Sequence, residues 1–293
     1  MFYYAFIIPL SYLPLGVLYR LSDAVFFFFY YVMGYRRKVV FENLRNSFPE
    51  KTDQEIESIS KKFYSHLCDL IIESIKGCSM SRAEVLRRHR YTNIEVFNKY
   101  CEAGKSVTTL GAHYGNWEWV ALSLPQVAKF QTYGIFQKIN NPFLDRVVKK
   151  SRERNGMKLI GKKEVAATLK EMQGRRISMG YIADQSPART GRNHWVTFLN
   201  QETAVTTGFE FFAKEYDTPV IYLNIVKKRR GYYEGTFYSV TDEPRKTREG
   251  EIAEAFMRRL EEIIRGKPEH WLWSHRRWKV NRSDSAIEPR STS

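Results

Sequence analysis

Residues 106–118 read SVTTLGAHYGNWE. The β-branched and apolar residues after Ser106 predict a short strand over 106–111, and the apolar residues that follow predict a helix over 116–124. A strand feeding a helix is half of a βαβ unit, and open sheets built from such units bind ligands beyond the carboxyl ends of their strands. His113 is expected at such an end. Glu118, about one turn into the helix, is then able to fold back to the imidazole. A carboxylate that accepts from one ring nitrogen fixes the tautomer and raises the basicity of the other, which makes a general base for an alcohol. Taken on these residues alone, a His113 that caps the helix and a surface-paired Glu118 stay equally open.

Downstream, strands are predicted near 132–137, 157–160, 176–182, 195–199, 218–226 and 232–240, and helices near 141–154, 163–173, 203–216 and 248–265. Alternating strands and helices imply an α/β fold, a mostly parallel sheet flanked by helices. The last two strands, joined by Lys227-Lys-Arg-Arg-Gly231, read as an antiparallel addition. Upstream, Thr52-x-x-Glu55 is a capping box that opens an amphipathic helix over 52–76, with Ile56, Ile59, Phe63, Leu67, Leu70 and Ile71 on its apolar stripe. His66 lies near that stripe and reads as packed or solvated.

The first 19 residues carry no charge, and a second apolar run extends from Ala24 to Tyr35. Together they are expected to span or deeply enter a bilayer whose hydrocarbon is about 30 Å thick. Neither a basic leader nor a small-residue cleavage site is evident, so the segment is expected to be retained. Pro9 and Pro14 set a broken or interfacial arrangement against a clean span, and a buried hairpin of a soluble protein is the third possibility. Arg36, Arg37 and Lys38 follow, which by the positive-inside tendency keeps the rest cytoplasmic. The expected organisation is a membrane anchor over 1–35, one working domain over 36–282 and a disordered tail over 283–293.

With 47 Lys and Arg against 32 Asp and Glu, the 293-residue chain carries a net charge of +15, which points to anionic partners. Cys68, Cys78 and Cys101 form no C-x-x-C pair and read as reduced thiols. No G-x-S-x-G elbow or H-E-x-x-H pattern is present. Residues 156–163 mimic a phosphate loop up to Lys162, but Lys163 stands where Ser or Thr would hold magnesium, and Met157 to Ile160 read as a strand.

Several ordered segments resemble those of one family. GAHYGNWE (111–118) resembles the H-x4-D/E motif of membrane glycerolipid-type acyltransferases, in the HxGNWE form of the lipid A late acyltransferases, the lauroyl and myristoyl transferases of lipopolysaccharide biosynthesis. YRRKVVFENLRNSFPE (35–50) resembles the segment that leads from that family's membrane region into its globular domain. NNPFLDRVVKKSRERNG (140–156) resembles its N-P-L helix, YIADQSPARTG (181–191) with VTFLNQETAVTTG (196–208) its A-D-Q-S-P to T-A region, and PEHWLWSHRRWK (268–279) its closing signature. Asn200 stands where Gly is usual.

The resemblance implies a glycerol-3-phosphate acyltransferase-like fold with an N-terminal hydrophobic membrane-anchoring helix. It implies His113 as catalytic base, Glu118 as its carboxylate, Arg152 rather than Arg154 as the essential arginine, and Asp184 as a further required residue. The implied reaction moves a fatty acyl group from acyl carrier protein to a hydroxyl of a lipid A precursor at the inner membrane, with no metal or cofactor. Arg152, or backbone N–H groups near Gly115 and Asn116, would stabilise the oxyanion, and Asp184 would hold Arg152 or position substrate. Lys149, Lys150, Arg152 and Arg154, with the runs at 227–230 and 276–279, would form a basic rim for the acidic carrier and the anionic glycolipid acceptor. Trp271, Trp273 and Trp278 would either meet the membrane interface or close the core. The competing readings are the same transfer onto another glycolipid or aminolipid and a non-catalytic lipid- or carrier-binding protein; an anchor beside an H-x4-E site argues against nucleic acid.

Overall fold

The computed structural model describes residues 7–137, 141–188 and 193–282, so the expected tail lies outside the described residues. Along the chain come α1 (Ile8–Tyr12), α2 (Leu15–Phe27) continued by a π-helical turn (Phe28–Met33), α3 (Arg37–Ser47), α4 (Asp53–Gly77) and α5 (Arg82–Arg88). Then follow β1 (His89–Tyr91), α6 (Ile94–Glu102), β2 (Val107–Gly111), α7 (Val120–Ser123), β3 (Gln131–Phe136), α8 (Pro142–Glu153), β4 (Lys158–Gly161), α9 (Val165–Glu171) and β5 (Ile177–Ile182). The last elements are β6 (Asn193–Phe198), β7 (Gln201–Thr206), α10 (Gly208–Glu215), β8 (Val220–Arg229), β9 (Tyr232–Thr241) and α11 (Glu251–Gly266).

Seven strands form one sheet in the order β1-β9-β8-β2-β5-β3-β4, and β6 and β7 pair apart as a hairpin. All sheet neighbours are parallel except β8 and β9. The alternation of side chains along β8 explains why both faces must be covered. Val220 and Tyr222 enter a core with α3, α4 and α11, whereas Ile221, Leu223 and Ile225 enter a second core with α5, α6 and Trp119. The parallel α/β architecture read from the sequence is the one present. The capping box at Thr52 is also present: its Oγ1 accepts from the Glu55 N–H, and Glu55 accepts from the Thr52 N–H.

Three local expectations need correction, and one strand is additional. The helix expected from 203 starts only at Gly208, because Gln201–Thr206 pairs with β6 across a two-residue turn. Leu199 and Asn200 of that turn have φ of 50° and 63°, a left-handed pair that matches strand twist and that Asn tolerates better than most residues. The three-residue β1 was not expected; it is held by pairing with β9, a contact with no local signature. The helix expected from 116 starts at Val120 and gives way to a 3-10 turn at Pro125, so Glu118 lies in a turn ahead of it. Ile71, placed on the buried stripe of α4, is 40% exposed, and Ile72 is buried in its stead. As for the tryptophans, Trp271 and Trp273 are buried and Trp278 packs on the same core, so they close the core.

Candidate active site

Strands β2 and β5 are parallel neighbours with Gly111 opposite Ile182. Continuing two residues past each brings His113 and Asp184 out side by side at the carboxyl edge of the sheet. The His113 Nδ1–H donates to Asp184 Oδ1 at 2.7 Å, and the His113 backbone N–H donates to Oδ2 at 3.0 Å. The indole N–H of Trp271 donates to the same Oδ2 at 2.8 Å. The segment that carries Trp271 runs along the loop after β2: Leu272 N–H donates to the His113 carbonyl, and Gly115 N–H to the His270 carbonyl. Gly115 has φ of 63°, and a Cβ there would lie 2.5 Å from the Ile225 carbonyl oxygen, so the close approach requires glycine.

Burial works against ionisation of Asp184, yet His113 and the donated hydrogen bonds outweigh it and hold the carboxyl below the usual carboxylate range. An ionised Asp184 accepts from Nδ1, which leaves Nε2 of His113 as the acceptor. That nitrogen accepts from the Gln185 carboxamide N–H at 3.2 Å. Behind the pair, His275 accepts at Nε2 from the Ser186 N–H, and burial pushes it down to about 4, so it is neutral. Arg277 is buried as well; burial lowers it to about 10 against the pull of Asp184, and it remains a cation at neutral pH.

Glu118 belongs to a second pair. Arg152 on α8 donates through Nε and Nη2 to both oxygens of Glu118, at 2.7–3.0 Å. Trp117 donates from its indole to Glu118 and packs edge-on against His113, with ring centroids 5.2 Å apart. The expected pairing is thereby exchanged: the carboxylate on His113 is Asp184, and Arg152 is held by Glu118. Locally, the Asn116 carboxamide oxygen accepts from the Trp119 N–H and closes a turn that carries Glu118, whose carboxylate bonds Trp117 and Arg152.

The family model for bacterial lipid A biosynthesis acyltransferases matches residues 1–280. The chain belongs to that family. It is therefore an acyltransferase of lipid A biosynthesis, and it is similar to the lipid A biosynthesis lauroyltransferase of Escherichia coli (strain K12), 21% identical over 92% of this chain and 87% of the relative. It is also similar to the lipid A biosynthesis palmitoleoyltransferase of the same strain and to a lipid A biosynthesis acyltransferase of Shigella flexneri. Each is 20% identical over 84% of this chain and 79% of the relative.

The remaining expected site residues of the acyltransferase fall outside the two pairs. The Gly115 N–H is committed to His270, and the Asn116 carboxamide, fully buried, donates to Glu73 at 2.7 Å, so both brace the loop. Arg154 donates to the carbonyls of Cys78 and Met80 and ties α8 to the end of α4. Lys149 and Lys150 are exposed on α8. Of the other basic residues, Lys227 and Arg230 are bound to Asp69, and Arg277 is internal, so these do not belong to the rim. Gln185 was not singled out from sequence, although it follows Asp184 directly, and Trp271 was read there only as a membrane-interface or core-closing residue, not as a donor to Asp184.

Trp271→Phe, which keeps an aromatic side chain but removes one donor from Asp184, is expected to lower kcat by loosening the carboxylate that sets the imidazole, with KM for the acceptor little changed. An unchanged kcat would mark Trp271 as packing only.

Three other buried histidines bear on stability. Burial lowers His89 to about 3 and His270 to about 4, and holds His66 well below its usual value. In the unfolded chain each protonates near about 6.5. Below that pH the unfolded state binds more protons, so stability falls with pH by up to about 1.4 kcal/mol per unit for each such group until its folded value is reached. The urea midpoint should therefore drop between pH 7 and pH 5, and less so in His89→Gln; a flat profile would contradict the depressed values.

Proposed function

We propose that the acyltransferase moves a fatty acyl group from a thioester on acyl carrier protein to a hydroxyl of a lipid A precursor, with His113 as general base. The single observation that carries this is the Asp184–His113 pair, which puts the acceptor nitrogen Nε2 outward at the sheet edge. The acceptor hydroxyl would take the place of the Gln185 carboxamide on Nε2 and attack the thioester carbonyl as His113 removes its proton. Arg152, held at two points by Glu118, would offset the oxyanion charge. When the C–S bond breaks, the imidazolium returns its proton to the thiolate, so no covalent enzyme intermediate forms. We place the domain on the cytoplasmic face of the inner membrane, supported by the apolar helix over Leu15–Met33 and the basic Arg36, Arg37 and Lys38 after it.

The test is lipid mass spectrometry on membranes of a deletion strain complemented with wild type or His113→Ala. Loss of one acyl chain from lipid A, restored by wild type alone, is expected. A change in another lipid would replace the acceptor, and no lipid change would favour a binding role. For the donor, exposed Lys149 and Lys150 should attract an acidic carrier, so added salt should lower kcat/KM with acyl carrier protein but not with a neutral acyl-thioester fragment. Equal salt dependence would remove the carrier protein from the proposal.

A further inference from the structure

The helical segment Leu15–Met33 has 19 residues, about 28 Å of helix, which is enough to cross the hydrocarbon of a bilayer. Its packing argues otherwise. It runs antiparallel along α4: Leu18 packs with Ile72, and Tyr30 meets Tyr64 with ring centroids 5.4 Å apart. Between these points the seam is polar. Tyr19 donates to Glu73 at 2.8 Å, Ser22 donates to Asp69 at 2.8 Å, and Arg230 bridges Asp23 and Asp69 at 2.6 Å each. Lys227 completes the cluster on Asp69 at 3.0 Å. Lys76 secures the start of the segment through the carbonyls of Ser11 and Leu13.

A bilayer wrapped around this helix would put Asp23 and the charged cluster at mid-membrane, where each charge is costly. Peeling the helix away would instead take Tyr19 from Glu73 and Ser22 from Asp69 and uncover two buried carboxylates. The opposite face carries Leu13, Val17, Leu21, Ala24, Phe28 and Val32, all exposed and spaced by three or four residues. Arg20 lies beside this stripe, and Arg36, Arg37 and Lys38, exposed, follow its end. An apolar stripe with flanking cations fits one occupant, the boundary between acyl chains and anionic headgroups of a single leaflet.

We propose that Leu15–Met33 does not cross the bilayer but lies in the plane of one leaflet, sunk by its outer face and fastened by its inner face to α4 and to Arg230 in the turn after β8. This rests on the membrane location proposed above. The arrangement also fixes the active-site loop relative to the lipid surface, because Glu73 joins Tyr19 to Asn116, three residues after His113.

The experiment uses the full chain on vesicles of phosphatidylethanolamine and phosphatidylglycerol, with single fluorophores at V17C, L21C, A24C, F28C and V32C and nitroxide lipids as depth quenchers. The unsubstituted protein sets the background from its own cysteines. The in-plane helix predicts five depths that agree within about 5 Å, shallow of the acyl midplane. A span would make the positions near residue 24 deeper than those near 17 and 32 by about 10–15 Å and would overturn this inference alone. Protein that stays off the vesicles would overturn the membrane location with it, and self-association through the labelled face would assign that face to a second copy.

Discussion

His113→Ala is expected to lower turnover on the order of 10²–10⁴-fold, with little change in KM for the acyl donor. The variant removes the group at the carboxyl ends of β2 and β5 whose Nε2 is set as the acceptor by a buried carboxylate on Nδ1. Asp184→Asn should cost a similar factor for a different reason. A carboxamide can donate to Nδ1, which would move the imidazole proton to Nε2 and leave no base facing the acceptor. The two losses should not add: the double variant should be about as slow as either single one, because both remove the same unit. Losses that multiply, or an Asp184→Asn variant that raises KM with kcat intact, would detach Asp184 from the proton transfer and make it a substrate ligand.

The difference between what was legible and what was not follows from range. The strand before Gly111, the capping box at Thr52 and the alternation of strands and helices are written in local periodicity, and they placed His113 at a strand end. Its partner is not local. Asp184 follows β5, 71 residues on, and it meets His113 only because β5 inserts between β2 and β3 in the sheet. Spacing along the chain favoured Glu118, five residues away, and could not reveal that its carboxylate bonds Trp117 and Arg152 instead. The same limit hid the Trp271 donor, which arrives from the far end of the chain. The basic runs misled for a related reason: Lys227 and Arg230 look like surface charge until Asp69 and Asp23 are folded against them.

Glu118→Gln should lower kcat far more than it changes KM for the acceptor, and it should do so through Arg152 rather than through the base. In the wild type the two-point pairing fixes a guanidinium that is only partly exposed, beside the Phe136 ring and across Trp117 from His113. A glutamine keeps the length but offers one acceptor and no charge, so the fork loses both its geometry and its counterion. Arg152→Lys should fall comparably, since an ammonium cannot make the paired contact. A double-mutant cycle separates this from a direct role on the imidazole. Coupling between Glu118 and Arg152 should reach about 0.5–3 kcal/mol, while Glu118→Gln and Asp184→Asn, which act on different pairs, should combine more nearly additively. Strong coupling of Glu118 to His113 and Asp184, with little to Arg152, would return Glu118 to the base.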